Sequence, residues 1–381
     1  MRKVLALLVV VIGLASVGSI AAGFVTDPDN RDLAFDHVAA RALLHGANPY
    51  APVDKNGPRE LPGYQFKRFW VEGLGSLPPP YWHTPVQLLI YLPLAPLPFP
   101  TAGVIWTLLA AGCFTTAIVL FGRELGFGRA FSSVVAMGLL VTPLVRDELR
   151  FGQIHSILLL LAVLCWRNIK AQRDARAGVW LGIAIAIKVF PGFFLLPLLG
   201  MRRFRTVGVA GVLACGTFGV AWLATGARTA LFAQMFQTVG AWRLFGMNIS
   251  WQGLILRATG HPMIVPLIGS IVFSALAVRP PSSASGDRFL AAAPLMILAL
   301  PLAWFFYLVL LIPWTLLVSM RTRGAKSVAF VLIGIALLVR PVPYAPFALL
   351  LAVILEGGPH AGGRRSTSVV MREEPQSYVT S

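Results

Sequence analysis

Long apolar runs, cut at short intervals by clusters of Lys and Arg, dominate this sequence. A helix needs about 20 apolar residues to cross the hydrocarbon core, and a chain with many such runs has few soluble folds open to it. The 381 residues are 57% hydrophobic and only 12% charged, with a mean hydropathy of +0.75. That composition predicts an all-α polytopic membrane protein rather than two or three soluble domains. The formal charge of +17 would suggest nucleic acid in a soluble chain. Here the basic residues sit between apolar runs and not in a stripe with interleaved aromatics, so topology explains them and no nucleic-acid partner is expected.

Spans are expected near 4–23, 101–121, 130–145, 153–166, 177–187, 189–201, 206–224, 263–278, 289–303, 305–320, 327–339 and 344–356, which makes about twelve transmembrane helices. The domain plan is a first helix over 1–23, an external loop with a re-entrant element over 24–100, a bundle over 101–356 and a disordered cytoplasmic tail over 357–381. Arg2, Lys3 and the small residues Ala21, Ala22 and Gly23 fit a signal peptide, but the length of the apolar run favours an uncleaved anchor. Segment 85–99 is apolar but carries Pro85, Pro93, Pro96 and Pro98. If it does not cross, 19 of the 32 basic residues fall in cytoplasmic loops, as the positive-inside rule requires. The basic clusters on both sides of 177–200 likewise require two short helices that meet at Lys188-Val189-Phe190-Pro191, with Lys188 at an external tip inside the bundle.

The first external loop holds seven of the fifteen acids: Asp27, Asp29, Asp32, Asp36, Asp54, Glu60 and Glu72. Phe35, Val38, Ala39, Ala42 and Leu43 recur at helical spacing, which predicts an amphipathic helix over 33–45 lying on the membrane surface. Asp32 would cap it, and Gly46 with Asn48-Pro49 would end it. Asp32 and Asp36, one turn apart, would share the face turned away from the apolar stripe. Two readings of Asp32 stand: a helix cap, or a reactive carboxylate at the lipid–water boundary.

The ordered series that begins with Asp32-Leu33, Ala42-Leu43-Leu44, Gly46 and Pro49-Tyr50 resembles glycosyltransferase family 87. It continues through Tyr81 to Leu94, Gly152-Gln153, Gly178 through Lys188 to Pro191, Asn248-x-Ser250, Gly253, Arg257, Pro301 and Trp304. Members of that family are polyprenyl-phosphate-mannose-dependent mannosyltransferases of the GT-C fold. The resemblance implies a GT-C-like bundle that moves a sugar, with inversion, from a polyprenyl-phosphate donor to a glycolipid or glycan acceptor. It places the active site on the external, periplasmic side of the cell membrane. It also implies that Asp32 is the general base and that Lys188 binds the donor phosphate, helped by Arg150 or Arg257. The chain departs from the pattern at three places. Asp36 stands where a tyrosine is usual, His155 where an asparagine follows Gly-Gln, and Trp304-Phe305-Phe306-Tyr307 where the pattern has Trp-x-His-His.

Other candidates for substrate contact are Asp36, Glu148, Gln153, His155, Asn248 and Trp304. Charges around Arg146-Asp147-Glu148-Arg150 also suit a solvated helix end, and Trp is common at membrane interfaces anyway. An ammonium near the membrane is costly unless it faces a cavity, has an anionic partner or snorkels. The six histidines show no ligand spacing, and Cys113, Cys165 and Cys215 lie inside apolar runs. Neither a metal site, a disulfide framework nor a cofactor is indicated. The chain carries no P-loop or dinucleotide motif, which disfavours nucleotide-powered transport and nucleotide-sugar chemistry. The competing class is a carrier or lipid flippase without chemistry.

The topology is open to cysteine-accessibility labelling. Positions 60 and 245 are expected to react from outside and 172, 203, 323 and 365 from the cytoplasm; labelling of 172 and 203 on opposite faces would contradict the broken pair at Lys188.

Overall fold

The computed structural model describes residues 2–26, 32–50, 81, 83–227, 231–232, 248–259, 264–278, 287–321, 325–339, 348–349 and 351. The described residues are helical throughout, apart from turns and one isolated bridge. In chain order the helices are α1 (Arg2–Thr26), α2 (Asp32–Leu44), α3 (Pro85–Tyr91), α4 (Phe99–Glu124), α5 (Arg129–Leu139), α6 (Pro143–Phe151), α7 (His155–Lys170) and α8 (Asp174–Ile187). There follow α9 (Leu195–Gly200), α10 (Phe204–Thr225), α11 (Trp251–Thr259), α12 (Ile264–Val278), α13 (Asp287–Ala299), α14 (Ile312–Arg321) and α15 (Ala325–Val339). Short 3-10 turns occupy Leu92–Leu94, Phe190–Phe194 and Phe305–Leu311.

Three of these helices, Lys3–Thr26, Phe99–Glu124 and Phe204–Thr225, are long and apolar enough to cross a membrane. A fourth crossing is possible if the bent pair α5 and α6 counts as one. The twelve crossings expected from hydropathy are therefore not each matched by a helix of spanning length among the described residues. At two of them proline supplies the reason, since it removes a backbone donor and clashes with the preceding turn. Segment 130–145, expected as one span, breaks before Pro143 into helices inclined at 73°. The break expected at Lys188 is present, with α8 ending at Ile187 and the chain resuming as a 3-10 turn at Phe190. Segment 85–99 forms only α3 and a 3-10 turn. The loop acids Asp27, Asp29, Asp54, Glu60 and Glu72, most of span 344–356 and the tail from 357 lie outside the described residues.

The core is built along α4, α7, α8 and α10, which pack on one another in that order, with α1 on the outer side of α4. Trp106, Phe114 and Phe121 of α4 and Trp166 of α7 are fully buried, and the Phe121 and Trp166 rings stand 5.1 Å apart. The tightest joint is between α8 and α10. A Cβ on Gly178 would stand 2.7 Å from the Thr206 carbonyl, and one on Gly182 would stand 2.9 Å from that of Ala210. Two glycines one turn apart thus let the backbones meet, the way helices associate where no hydrophobic drive exists between them. Arg203 and Asp174, 2.8 Å apart, close the end of the same joint.

α2 forms where the periodicity placed it, but it does not lie open on a surface. Leu33, Ala34, Val38, Ala39, Ala40 and Ala42 are buried, and the helix packs against α3, the Leu92–Leu94 turn and α4. His37 Nε2 lies 3.2 Å from the carbonyls of Leu94 and Leu97; carbonyls only accept, so this nitrogen carries the proton. Asp36, expected on the exposed face with Asp32, is 3% exposed. Donors from α3 and the segment before it fill the solvation that burial removes.

Candidate active site

The base of the site is the N-terminal turn of α2. Asp32 is accessible from the surface, yet protein crowds its remaining sides and withholds bulk solvation. Burial, reinforced by Asp36 and Glu148, pushes its carboxyl up to about 7, against the opposing pull of Lys188 and a hydrogen bond from the Gln153 amide. Gln153 belongs to the turn between α6 and α7, and the residue before it explains how α2 reaches that turn. Gly152 closes α6 with φ +70°, a conformation that side chains with a Cβ rarely adopt. A Cβ there would also stand 2.5 Å from the Cβ of Leu33. The Gly152-Gln153 pair is thus a docking surface for the start of α2, with the glycine making room for Leu33 and the glutamine holding Asp32.

Asp36 sits one turn along and faces inward. Its Oδ1 accepts from Tyr81 Oη at 2.6 Å, His83 Nδ1 at 2.8 Å and Gln87 Nε2 at 3.1 Å. The same His83 Nδ1 also lies 2.9 Å from Gln87 Nε2. Burial and the nearby Lys188 hold the His83 imidazole below its ordinary value, although Asp36 works the other way. Phe35 and Tyr81 pack edge-on to the ring at 5.7 and 5.4 Å. So heavily bonded a carboxylate organises its surroundings.

A second buried carboxylate, Glu148 of α6, is 0% exposed. Its Oε1 accepts the Ser156 backbone N–H at 3.0 Å, and its Oε2 accepts from His155 Nδ1, also at 3.0 Å. It thereby satisfies the first turn of α7. The His155 ring is 4.7 Å from that of Tyr307 and stacks on Phe190 at 5.9 Å. Position 307, where the family pattern has histidine, therefore contributes an aromatic wall around His155.

Lys188 joins the two halves. It is half-buried, leaves α8 in an extended conformation, and interacts electrostatically with Asp36, Asp32 and Glu148. One polar cluster thus brings together Asp32, Asp36, Glu148, Gln153, His155 and Lys188 from five parts of the chain.

The remaining candidates stand elsewhere. Arg150 is exposed on α6, beside Asp147. Asn248, Trp304 and Arg257 form a backbone knot. Asn248 is 0% exposed; its Oδ1 accepts from the N–H groups of Ser250 and Ala303 at 3.1 and 3.0 Å, and its Nδ2 donates to the Pro301 carbonyl at 3.2 Å. Asn248 also bridges Trp304, and Arg257 donates to the Asn248 carbonyl at 2.8 Å. Sequence reasoning did not single out His83, Thr84 and Gln87, although they lie within the Tyr81 to Leu94 stretch that carries the resemblance. Among the described residues no group of three or more His, Cys, Asp and Glu side chains is arranged to hold a metal.

A carboxylate able to take a proton and a cation able to steady an anion share this site, which equips it for group transfer at a membrane. The chain belongs to glycosyltransferase family 87, whose profile matches residues 81–341. It is 27% identical over 299 residues to the polyprenol-phosphate-mannose-dependent alpha-(1-2)-phosphatidylinositol pentamannoside mannosyltransferase of Mycolicibacterium smegmatis, which covers 73% of this chain and 71% of that protein. To the protein of the same description from Mycobacterium tuberculosis it is 26% identical over 268 residues, 66% of this chain and 61% of that one. No solved structure matches the chain.

Titration tests the geometry without turnover. Difference infrared spectra of the parent against Asp32→Asn are expected to show a carboxyl that ionises near pH 7. Lys188→Ala should move that midpoint upward, because the ammonium favours the ionised form; an ordinary midpoint near 4 would contradict the crowding of Asp32 by protein and by its neighbouring carboxylates.

Proposed function

We propose that this membrane glycosyltransferase moves a mannosyl unit, with inversion, from polyprenyl-phosphate mannose to a glycolipid acceptor. The acceptor class is a phosphatidylinositol mannoside, after the relatives' descriptions. We place the reaction on the external face of a multi-pass protein, with the short helices of the bundle crossing in broken pairs. The observation that supports the reading is the electrostatic coupling of Lys188 with Asp32 and Asp36.

In this reading the acceptor hydroxyl oxygen attacks the anomeric carbon and its proton passes to Asp32. The bond from that carbon to the phosphate oxygen breaks, and polyprenyl phosphate leaves with one more negative charge than the diester carried. Lys188 steadies that growing charge, the usual electrostatic contribution of a prepositioned cation. A base must be ionised to act, so the raised Asp32 couples turnover to pH: activity falls as pH drops through about 7. Gln153 keeps the carboxylate oriented. Glu148 and His155 brace the wall behind Lys188. Membership of a glycosyltransferase family argues against a carrier that uses the same charges only as a path.

The test offers the purified protein a labelled polyprenyl-phosphate mannose together with extracted membrane glycolipids. Asp32→Asn is expected to lower transfer by roughly 100- to 10,000-fold, the usual worth of a general base, with donor binding little changed. Asp29→Asn serves as a nearby control and should retain transfer. Lys188→Ala should impair donor use far more than Lys188→Arg, since the contact needs a cation. Parental turnover in Asp32→Asn would reduce that residue to a helix terminus.

A further inference from the structure

The turn that carries Lys188 is held by a residue outside the polar site. In a continuing helix the N–H of residue 191 would donate to the Ile187 carbonyl, but Pro191 has none to give. The Ile187 carbonyl and the Ala186 carbonyl before it instead face Thr84, whose Oγ1 stands 2.6 and 3.0 Å away. One hydroxyl carries one proton, so the two carbonyls share it. The same oxygen accepts the Gln87 backbone N–H at 3.1 Å and caps α3. Thr84 is 3% exposed, and this hydroxyl both donates and accepts.

Its neighbours are committed to the other half of the site. His83 and Gln87 both contact Asp36, one turn from Asp32 on α2. Five consecutive residues, 83–87, therefore bind the carboxylate helix on one side and the end of α8 on the other.

We infer that Thr84 is a positioning residue for Lys188: its hydroxyl supplies the proton that Pro191 withholds, fixes where α8 stops, and so sets where the ammonium stands relative to Asp32. The inference rests on the role proposed for Lys188 toward the donor phosphate and deepens it. The Lys188-x-x-Pro191 spacing then has a physical sense: α8 ends at Ile187, just before the cation, Pro191 has no N–H with which to carry the helix on, and Thr84 closes the end that results. A hydroxyl that merely capped α3 would stabilise the fold without acting through the lysine.

The experiment measures donor kcat/KM and KM, acceptor KM and melting temperature on the purified full-length chain. Thr84→Ser keeps both the donor and the acceptor and is expected to stay close to the parent. Thr84→Val keeps the shape and loses both; donor kcat/KM should fall about tenfold, the scale of one hydrogen bond, with acceptor KM unchanged. In a Lys188→Ala background the same Thr84→Val change should cost nothing further, because the group it positions is gone. A full additional loss in that background, or parental kinetics for Thr84→Val alone, would overturn the inference. Pro191→Ala serves if Thr84→Val does not accumulate. It restores an N–H that competes for the Ile187 carbonyl, so donor kcat/KM should fall while the melting temperature does not, and parental kinetics would again overturn the inference. Parental donor kinetics in Lys188→Ala would instead remove the role of the lysine, and that of Thr84 with it.

Discussion

A carboxylate withdrawn from water must be paid for by donors or by a cation, and this site holds three of them around a single ammonium. Asp36 is satisfied by three donors from residues 81–87, and Glu148 by a backbone N–H and an imidazole. Asp32 has the Gln153 amide and shares Lys188 with the other two. Of the three it is the one accessible from the surface, and its own affinity for a proton is raised to the neutral range. The two bonded carboxylates build the enclosure, and their charge helps to make the third a stronger base.

The same accounting explains why the fold breaks where it does. Long straight helices would leave no irregular backbone to line a polar site, and irregular backbone at membrane depth is tolerated only where protein or a cavity satisfies it. Pro143 and Pro191 interrupt apolar runs on either side of the site, and each freed end carries a residue that the site uses. α6 begins at Pro143 and presents Glu148; α8 ends before Pro191 and presents Lys188. The rigid parts stand behind them, chiefly α8 on α10 through Gly178 and Gly182.

Much of this was legible in the sequence, for identifiable reasons. Lys188 and Glu148 are charged groups at the edges of apolar runs, where polarity is costly and therefore conspicuous, while Asp32 and Gln153 were singled out by the family resemblance. The break at Lys188 followed from basic clusters that a single helix could not have placed on one side. Asp36 was misread because helical spacing reports which face a residue shares and not what covers that face; its partners arrive from 45 to 51 positions away. Thr84 and His83 were invisible for the same reason, as no local spacing links them to α8 or α2. The twelve expected crossings are matched by only three helices of spanning length among the described residues, because most of the apolar runs are short and several are divided by proline.

The central claim is that one polar cluster supplies the proton acceptor and the phosphate cation on either side of the transferred sugar. Its most direct test is a structure of the protein with a non-transferable phosphonate analogue of polyprenyl-phosphate mannose. The account places a phosphonate oxygen within about 3 Å of Lys188 Nζ, a normal charge-assisted hydrogen bond, with Asp32 across the anomeric carbon from the leaving oxygen. A phosphonate seated instead at the Arg257–Asn248 knot, with Lys188 turned to lipid, would contradict it.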